Sequence, residues 1–227
     1  LHQESLNISA VRVDGQDVDF RLGRGDITIE LDSHEEPIEL AIDYSATPDK
    51  GLHFRAPGPN SPDTYPEVWS QGENNDNRYW FPTWDHPNDR FSYSGSFSVP
   101  DNYSVLSNGM GEVVDGRWNY QLEESLVSYL VMLAAGPYSI RTDEWRDQPV
   151  QQWYPADVDE SWVEGTSGQV PEMLEAFSEW TGVDYPYPTY TEVFVQRFLY
   201  TGMENTTATV EELAMLQDPA NGDTNRW

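Results

Sequence analysis

Apolar and polar positions alternate through most of the chain before residue 142. The stretch LNISAVRV alternates in this way and ends at Asp14-Gly15, a pair typical of tight hairpin turns. RFSYSGSFSVP places Phe91, Tyr93, Gly95, Phe97 and Val99 on one face, with serines between them. DVDFRL, DITIEL and PIELAIDYSA predict further short strands. The pattern predicts many short strands, arranged as an antiparallel β sandwich or saddle.

Two other stretches of this region depart from the alternation. SLVSYLVMLAAG, residues 125–136, is almost continuously apolar and of strand length, which predicts a strand that is buried on both faces. Residues 56–77 are rich in Pro, Gly, Asn and Asp, which predicts an irregular loop.

The pattern changes near residue 142 to a mixture of helix and strand. GQVPEMLEAFSEWTGV predicts a helix with Pro171 in its first turn and Gly182 at its C-terminal end. Four apolar residues of this segment fall on one predicted face: Met173, Leu174, Phe177 and Trp180. TEVFVQRF then predicts a strand.

The segment FLYTGMENTTATV places Glu204 among small, hydroxyl and apolar residues. Gly202 and Asn205 bracket Met203-Glu204, which predicts a turn or the end of a strand. The following strand is predicted from Thr206, Thr207, Thr209 and Val210. A helix, a strand and this segment indicate the beginning of an α/β unit.

Charge and composition exclude several classes of protein. The chain carries 40 acidic and 12 basic residues, a formal net charge of −28, so phosphates would be repelled and nucleic acid is a poor partner. The acids are dispersed and Lys50 is the single lysine, which favours a halophilic protein, since the Debye length falls to about 3 Å at 1 M salt. An ordinary acidic secreted protein is the alternative. The absence of cysteine excludes disulfides and thiolate chemistry, and no apolar run is long enough to predict a membrane span.

Two separated segments resemble the aminopeptidase N family of zinc metallopeptidases, which includes the leukotriene-hydrolysing enzymes. The first segment carries two motifs of the family's N-terminal domain, and the second carries its Gly-x-Met-Glu-Asn motif. The matching residues are Ser70, Gln71, Gly72 and Glu73, then Phe81, Pro82, Asp85 and Pro87, and finally Gly202, Met203, Glu204 and Asn205. Thr201 stands where the family has the first glycine of the last motif.

The resemblance implies a fold, an activity and roles for several residues. The fold is an antiparallel β domain over residues 1–142, without its first strands, followed over 143–227 by the beginning of an α/β thermolysin-like domain. The activity is zinc-dependent removal of N-terminal amino acids from peptides with a free N-terminus. Glu73 and Glu204 would hold the α-ammonium group, Met203 would line the first side-chain pocket, and the Gly202 backbone would pair with the substrate. A tight bend after Glu73, with a cis peptide bond, is also implied.

The family's zinc ligands have no match in this chain. That zinc is held by His-Glu-x-x-His, in which two histidines lie four residues apart on one helix, and by a later glutamate. The histidines here are His2, His34, His53 and His86, and none has a histidine at that spacing. The chain is therefore expected to be a fragment without catalytic residues or bound catalytic zinc, inactive by itself, from a parent protein that binds Zn²⁺.

Simpler interpretations of the same residues stay open at this point. A glutamate in so acidic a chain is by default a solvated surface residue, and Glu73 equally suits an acidic loop or a weak calcium site. Arg78 and Asp85 suit a structural ion pair better than a catalytic one. The chain as a whole could be a non-catalytic relative of the family, or a β-sandwich module that binds protein or carbohydrate through its tryptophans.

Overall fold

A computed structural model describes residues 1–31, 33, 36–59, 61–62 and 64–216. Of the histidines named above, His34 lies outside these ranges. The described chain forms two compact units, and most of its regular structure is β-strand. The division expected at residue 142 stays a prediction.

The described strands and helices follow one another with short connections. The strands are β1 Asn7–Val13, β2 Gln16–Asp17, β3 Phe20–Leu22, β4 Ile27–Ile29, β5 Leu40–Ser45, β6 Leu52–Arg55, β7 Glu67–Ser70, β8 Phe91–Phe97, β9 Ser104–Ser107, β10 Met110–Val114, β11 Arg117–Leu126, β12 Leu133–Gly136, β13 Tyr138–Trp145, β14 Gln148–Pro155, β15 Tyr190–Val195, β16 Gly202–Met203 and β17 Ala208–Glu212. The α-helices are α1 Glu160–Ser167 and α2 Val170–Thr181, and 3₁₀ turns span Asp76–Tyr79, Ser128–Leu130 and Leu213–Met215.

The first unit comprises Leu1–His53, Ser70–Arg90 and Val127–Tyr129. Its three-stranded antiparallel sheet has the order β2-β1-β5, and β3 pairs with β4 in a separate ribbon. The predicted hairpin between β1 and β2 is confirmed, since Asp14 and Gly15 both have positive φ angles, 49° and 76°. Leu6, Ile8, Val11 and Ile27 form its small apolar core.

The second unit comprises Phe54–Trp69, Phe91–Leu126 and the residues from Leu130 onward. One antiparallel sheet has the order β10-β11-β8, and in another sheet β12 pairs with β7 through Val68 and Trp69 and with β9. Along β8 exposed serines alternate with half-buried residues, so the prediction from its period-two pattern is confirmed.

A five-stranded sheet with the order β13-β14-β15-β17-β16 completes the second unit. β14, β15 and β17 run parallel, whereas β13 and β16 are antiparallel to their neighbours. Val163 of α1 packs against Tyr154 and Phe194, and Val170 of α2 packs against Trp145 and Val150. The predicted fold class is confirmed: antiparallel β structure is followed by the beginning of an α/β unit.

Two predictions for the β region were wrong. Residues 125–136 are not one strand, because β11 ends at Leu126, a 3₁₀ turn follows and β12 begins at Leu133. The buried Ser128 hydroxyl donates to Asp85 Oδ1 at 2.8 Å, so a polar contact fixes the break. The supposed loop 56–77 contains β7, whose Trp69 is fully buried.

Further corrections concern the α/β part. α2 has its predicted limits, and Gly182 ends it in the left-handed conformation with φ 70°. Leu174 packs into the core, but Phe177 and Trp180 are 60% and 81% exposed, so the four apolar residues are not one buried face. α1 was not predicted. Thr206 and Thr207 lie in a turn, and β17 begins only at Ala208.

Within the described residues, no helix has the length and apolar character needed to cross a membrane.

Candidate functional site

The Gly202–Asn205 segment lies at the edge of the five-stranded sheet. β17 is parallel to β15 on one side, with Val193 opposite Val210, and antiparallel to β16 on the other. β16 is the last strand in the order of this sheet. An edge strand carries backbone N–H and C=O groups that can pair with an added extended chain.

Burial alternates along the segment in a way that isolates Glu204. Met203 and Asn205 are 2% and 4% exposed, whereas the Glu204 side chain between them is exposed. The Asn205 backbone N–H donates to Met203 O at 3.0 Å, which closes a tight bend around Glu204. The predicted strand end at Met203-Glu204 is therefore confirmed, and the carboxylate projects from a segment whose neighbouring side chains are fixed by burial.

Gly202 lies opposite Glu211 of β17. A Cβ atom added to Gly202 would lie 2.5 Å from Glu211 Oε2, so the carboxylate of Glu211 occupies the space beside the glycine. Burial raises the pKa of Glu211 to about 7, and the nearby charge of Glu192 adds to the effect. Glu211 was not predicted as a residue of the site. The sequence shows it only as an acidic residue in a strand, next to a residue that is buried in the structure.

The loop before β16 is held by a second glutamate. The Glu212 carboxylate accepts hydrogen bonds from the backbone N–H groups of Arg197 and Phe198. The Glu212 backbone N–H donates to Thr201 O at 2.9 Å, at the other end of the loop. Glu212 thereby fixes the approach to Gly202 from both ends. The sequence shows only two adjacent glutamates, Glu211 and Glu212, and this pattern does not predict that Glu212 holds a loop.

Glu67 is a buried carboxyl group that contacts the same loop. It is 1% exposed, and its Oε1 accepts a 2.7 Å hydrogen bond from the Gln196 N–H, while its Oε2 accepts one of 3.0 Å from the Tyr138 hydroxyl. Burial raises the pKa of Glu67 to about 7, although both hydrogen bonds and the charge of Arg55 oppose the shift. Glu67 therefore changes charge near neutral pH while it holds the end of β15.

Glu73 lies in the first unit, shortly after β7, and its side chain is exposed. The Glu73–Asn74 peptide bond is cis, as the resemblance implied. The backbone before it is closely packed, since a Cβ atom on Gly72 would lie 2.5 Å from Tyr129 O. Asn77, fully buried, donates from Nδ2 to Ser128 O at 2.7 Å and accepts from Trp80 Nε1 at 2.7 Å. Glu73 thus projects from a fixed bend.

Arg78 and Asp85 form the structural ion pair that was expected. Arg78 Nε lies 2.9 Å from Asp85 Oδ2, and the Asp85 side chain is almost fully buried. Asp85 Oδ1 accepts the hydrogen bond from Ser128, so both carboxylate oxygens have partners. The Asp85 carboxylate is therefore fixed by contacts within the protein.

The two predicted amine-binding glutamates occupy different compact units, Glu73 in the first and Glu204 in the second. Their pairing around one ammonium group stays a prediction, as do the roles of Gly202, Met203 and Asn205 in substrate binding.

The described residues do not fit a zinc site. Among them, no group of three or more potential His, Asp or Glu ligands comes together. The His2 and His86 rings are 4.8 Å apart and both contact Trp84, but they supply only two nitrogen donors in this region.

Comparison with known proteins identifies the family through the first part of the chain. Residues 1–123 match the Peptidase M1 N-terminal domain. This match covers more than half of the 227 residues and includes the two motifs between Ser70 and Pro87.

The relatives fall into two groups by name, a transcription initiation factor subunit and aminopeptidases. Transcription initiation factor TFIID subunit 2 of Danio rerio is 24% identical over an alignment of 197 positions, which covers 78% of this chain and 16% of that protein. Aminopeptidase B of Mus musculus is 27% identical over 170 residues, which are 74% of this chain and 26% of that protein. The chain therefore spans no more than about a quarter of the length of these relatives.

Solved structures of larger proteins share the fold. Yeast LTA4 hydrolase aligns with a TM-score of 0.82 and 21% identity, over 95% of this chain and 35% of that chain. A mutant M1 zinc metallopeptidase from Deinococcus radiodurans, bound to a Tyr-Ser-Ala substrate, aligns with a TM-score of 0.73 and 20% identity, over 97% of this chain and 54% of that chain. With the match over residues 1–123, these findings establish that the chain belongs to the M1 peptidase family.

Proposed function

We propose that the whole protein containing this chain is a zinc-dependent aminopeptidase, a hydrolase that removes N-terminal amino acids from peptides. Residues 1–142 would form its N-terminal β domain, and residues 143–227 would begin its catalytic domain. Such an enzyme acts in peptide catabolism. The zinc ligands would lie in parts of the protein outside this chain, and the residues of this chain would bind and orient the peptide.

The observation that carries the proposal is the position of Glu204. Its exposed carboxylate follows an edge strand and lies between two buried residues. A peptide that adds beside β16, the last strand in the order of this sheet, would place its N-terminal end near this carboxylate. The Gly202 backbone would pair with that peptide.

An exopeptidase must recognise the charged amine that only the end of a peptide carries. A carboxylate and an ammonium group about 4 Å apart attract by roughly 4 kcal/mol at an effective dielectric constant near 20, before the cost of desolvation. Glu73, as a second carboxylate, would strengthen this selection and stop the peptide from sliding further. Two carboxylates around one amine thus supply both charge recognition and a fixed end point.

The test is the Glu204→Gln variant of the whole protein. We expect kcat/KM for L-leucine p-nitroanilide to fall by about a hundredfold or more, because the amide cannot compensate the ammonium charge. Zinc content, measured by elemental analysis, should not change. Glu179→Gln, at an exposed glutamate of α2, is the matched control and should keep full activity. Unchanged activity of Glu204→Gln would refute the assignment.

A non-catalytic relative is the second candidate function. It is favoured by the similarity to a protein named as a transcription initiation factor subunit, which extends over 78% of this chain. In that case the folded whole protein would hydrolyse no aminoacyl p-nitroanilide, even after addition of Zn²⁺. A β-sandwich module that binds carbohydrate or protein is a further non-catalytic alternative.

A further inference from the structure

The turn that follows Glu204 has an unusual backbone. The Ala208 N–H donates to Asn205 O at 3.1 Å, so residues 205–208 form a closed four-residue turn. Thr207, the third residue of this turn, has a φ angle of 67°. That left-handed conformation is disfavoured for a β-branched residue, and the turn therefore depends on contacts that hold it.

Those contacts come from Asn108-Gly109, between β9 and β10. Asn108 Nδ2 donates to Thr206 O at 2.7 Å, and the Gly109 N–H donates to Thr207 Oγ1 at 2.7 Å. One contact fixes a carbonyl of the turn, and the other fixes the side chain of its left-handed residue. Both connect parts of the second unit that are 98 residues apart in the chain.

Asn108 is itself fixed from other directions. Its side chain is fully buried, donates from Nδ2 to Leu130 O at 2.8 Å and accepts from the Met132 N–H at 2.8 Å through Oδ1. Gly109 has a φ angle of 88°, and a Cβ atom there would lie 2.0 Å from Gln121 O. The two residues are thus a rigid support for the turn.

We propose that Thr207 is a positioning residue for the Glu204 carboxylate, held in its left-handed conformation by the support that Asn108-Gly109 gives to the Thr206–Thr207 turn. Glu204 immediately precedes the 205–208 turn, so the turn sets the direction in which the chain leaves Glu204. This inference rests on the proposed amine-binding role of Glu204. A carboxylate that must meet an ammonium group loses affinity when it is displaced by a fraction of its contact distance.

The test separates positioning from stability through two changes at Thr207. Thr207→Val keeps the shape of the side chain and removes the acceptor for the Gly109 N–H, whereas Thr207→Ser keeps the acceptor. The probe is L-leucine amide, a competitive ligand with a free amine, measured on the whole protein at a temperature where every variant is folded. We expect Thr207→Val to raise the inhibition constant of L-leucine amide about tenfold, and Thr207→Ser to stay within about twofold of the unchanged protein.

Ser107→Ala is the matched control. The Ser107 hydroxyl is buried beside Asn108 and donates to Met132 O at 2.7 Å, but it makes no described contact with the 205–208 turn. Ser107→Ala should lower the melting temperature about as much as Thr207→Val does. It should leave the inhibition constant of L-leucine amide within twofold of that of the unchanged protein. If Thr207→Val does not fold, Thr207→Ala replaces it, because alanine removes the hydroxyl without adding a methyl group at its position.

Glu204→Gln, measured in parallel, distinguishes the two possible failures. If Glu204→Gln weakens L-leucine amide binding while the folded Thr207 variants bind as the unchanged protein does, the positioning inference is wrong and the proposed function stands. If Glu204→Gln does not weaken binding, the proposed function is wrong and the inference falls with it.

Discussion

The Glu67 carboxylate accepts a 2.7 Å hydrogen bond from the backbone N–H of Gln196, 129 residues further along the chain. The Tyr138 hydroxyl donates to its other oxygen, so one buried side chain accepts hydrogen bonds from two donors. Glu67 therefore ties β7 to β13 and to the end of β15, where the loop towards Gly202 begins.

The first prediction concerns removal of this carboxylate. Glu67→Ala removes the acceptor of two hydrogen bonds, one from the half-buried Gln196 N–H and one from the buried Tyr138 hydroxyl, and a buried donor that loses its acceptor costs about 1–3 kcal/mol. We expect the free energy of unfolding to fall by about 3 kcal/mol, measured by urea denaturation at pH 6. Glu112→Ala, at an exposed glutamate of β10, is the control and should have little effect. If Glu67→Ala and Glu112→Ala lowered the free energy of unfolding equally, the hydrogen bonds of Glu67 would make no specific contribution to stability.

The second prediction concerns pH and Glu192. Glu192 is 9% exposed, burial raises its pKa to about 7, and its Oε2 has no hydrogen-bond partner among the described residues. The folded state therefore holds this proton more tightly than the unfolded state, whose carboxyl pKa is about 4.3. The stabilisation is complete below the unfolded pKa and is lost as the pH rises through about 7.

Glu192→Gln removes this titration. We expect the variant to gain about 1–3 kcal/mol of stability at pH 8 relative to the unchanged protein, with little difference at pH 4.5. Urea denaturation at both pH values measures the difference. Glu164→Gln, at an exposed glutamate of α1, should show no such pH-dependent gain. A Glu192→Gln variant with the same loss of stability between pH 4.5 and pH 8 as the unchanged protein would contradict the assignment.

The third prediction compares two glycines. Gly109→Ala would bring a Cβ atom to 2.0 Å from the backbone oxygen of Gln121 at a φ of 88°, and neither atom can move without shifting a strand. Gly202→Ala would meet the far end of the Glu211 side chain, which can rotate away. We expect a loss of at least about 2 kcal/mol for Gly109→Ala and of about 1 kcal/mol or less for Gly202→Ala.

Urea denaturation of both variants, with Gly116→Ala as control, checks this difference. Gly116 also has a positive φ, 74°, but nothing lies within 4 Å of its added Cβ atom, so it reports the conformational cost alone. A larger loss for Gly202→Ala than for Gly109→Ala would show that the Glu211 carboxylate is fixed in place.

These contacts also show which features the sequence alone can predict. The Asp14-Gly15 hairpin and the end of α2 at Gly182 follow from the preferences of neighbouring residues, and both were predicted correctly. The turn at Thr206-Thr207 was predicted as strand, because its threonines favour strands and its support, Asn108, lies 98 residues away. Local preference cannot show a contact of that separation.

The residues of the candidate site also divide into those that the sequence predicted and those that it did not. Glu204 and Glu73 were selected through motifs, and both side chains are exposed in the structure. The buried Glu67 and Glu192 and the half-buried Glu211 and Glu212 were missed, since in a chain with 40 acidic residues such a glutamate has the same sequence signal as a solvated one. Their positions follow from sheet registers, which pair strands that are distant in the chain.

The fourth prediction concerns salt. A net charge of −28 with a single lysine gives strong repulsion at low ionic strength, which about 1 M salt screens beyond roughly 3 Å. We expect the melting temperature of the whole protein to rise with KCl up to molar concentration. Sucrose at matched osmolality is the control, because it does not screen charge. A flat or falling melting temperature in KCl would reject adaptation to high salt.

The last prediction concerns the pairing of Glu73 with Glu204, which lies 131 positions later in the chain. If both carboxylates contact one ammonium group, their contributions to binding are coupled, because the loss of one moves the ligand away from the other. We expect Glu73→Gln and Glu204→Gln each to raise the inhibition constant of L-leucine amide at least about tenfold. The double variant should raise it clearly less than the product of the two single effects.

Acetylation of the ligand's amine provides the control within the same experiment. N-acetyl-L-leucine amide has no ammonium group, so its weak binding should be unaffected by either substitution. Independent, multiplicative effects on L-leucine amide would mean that the two glutamates act at separate places, since residues without a shared partner contribute additively to the free energy of binding. A structure of the whole protein with the two carboxylates more than about 10 Å apart, beyond the reach of one ammonium group, would exclude the shared site directly.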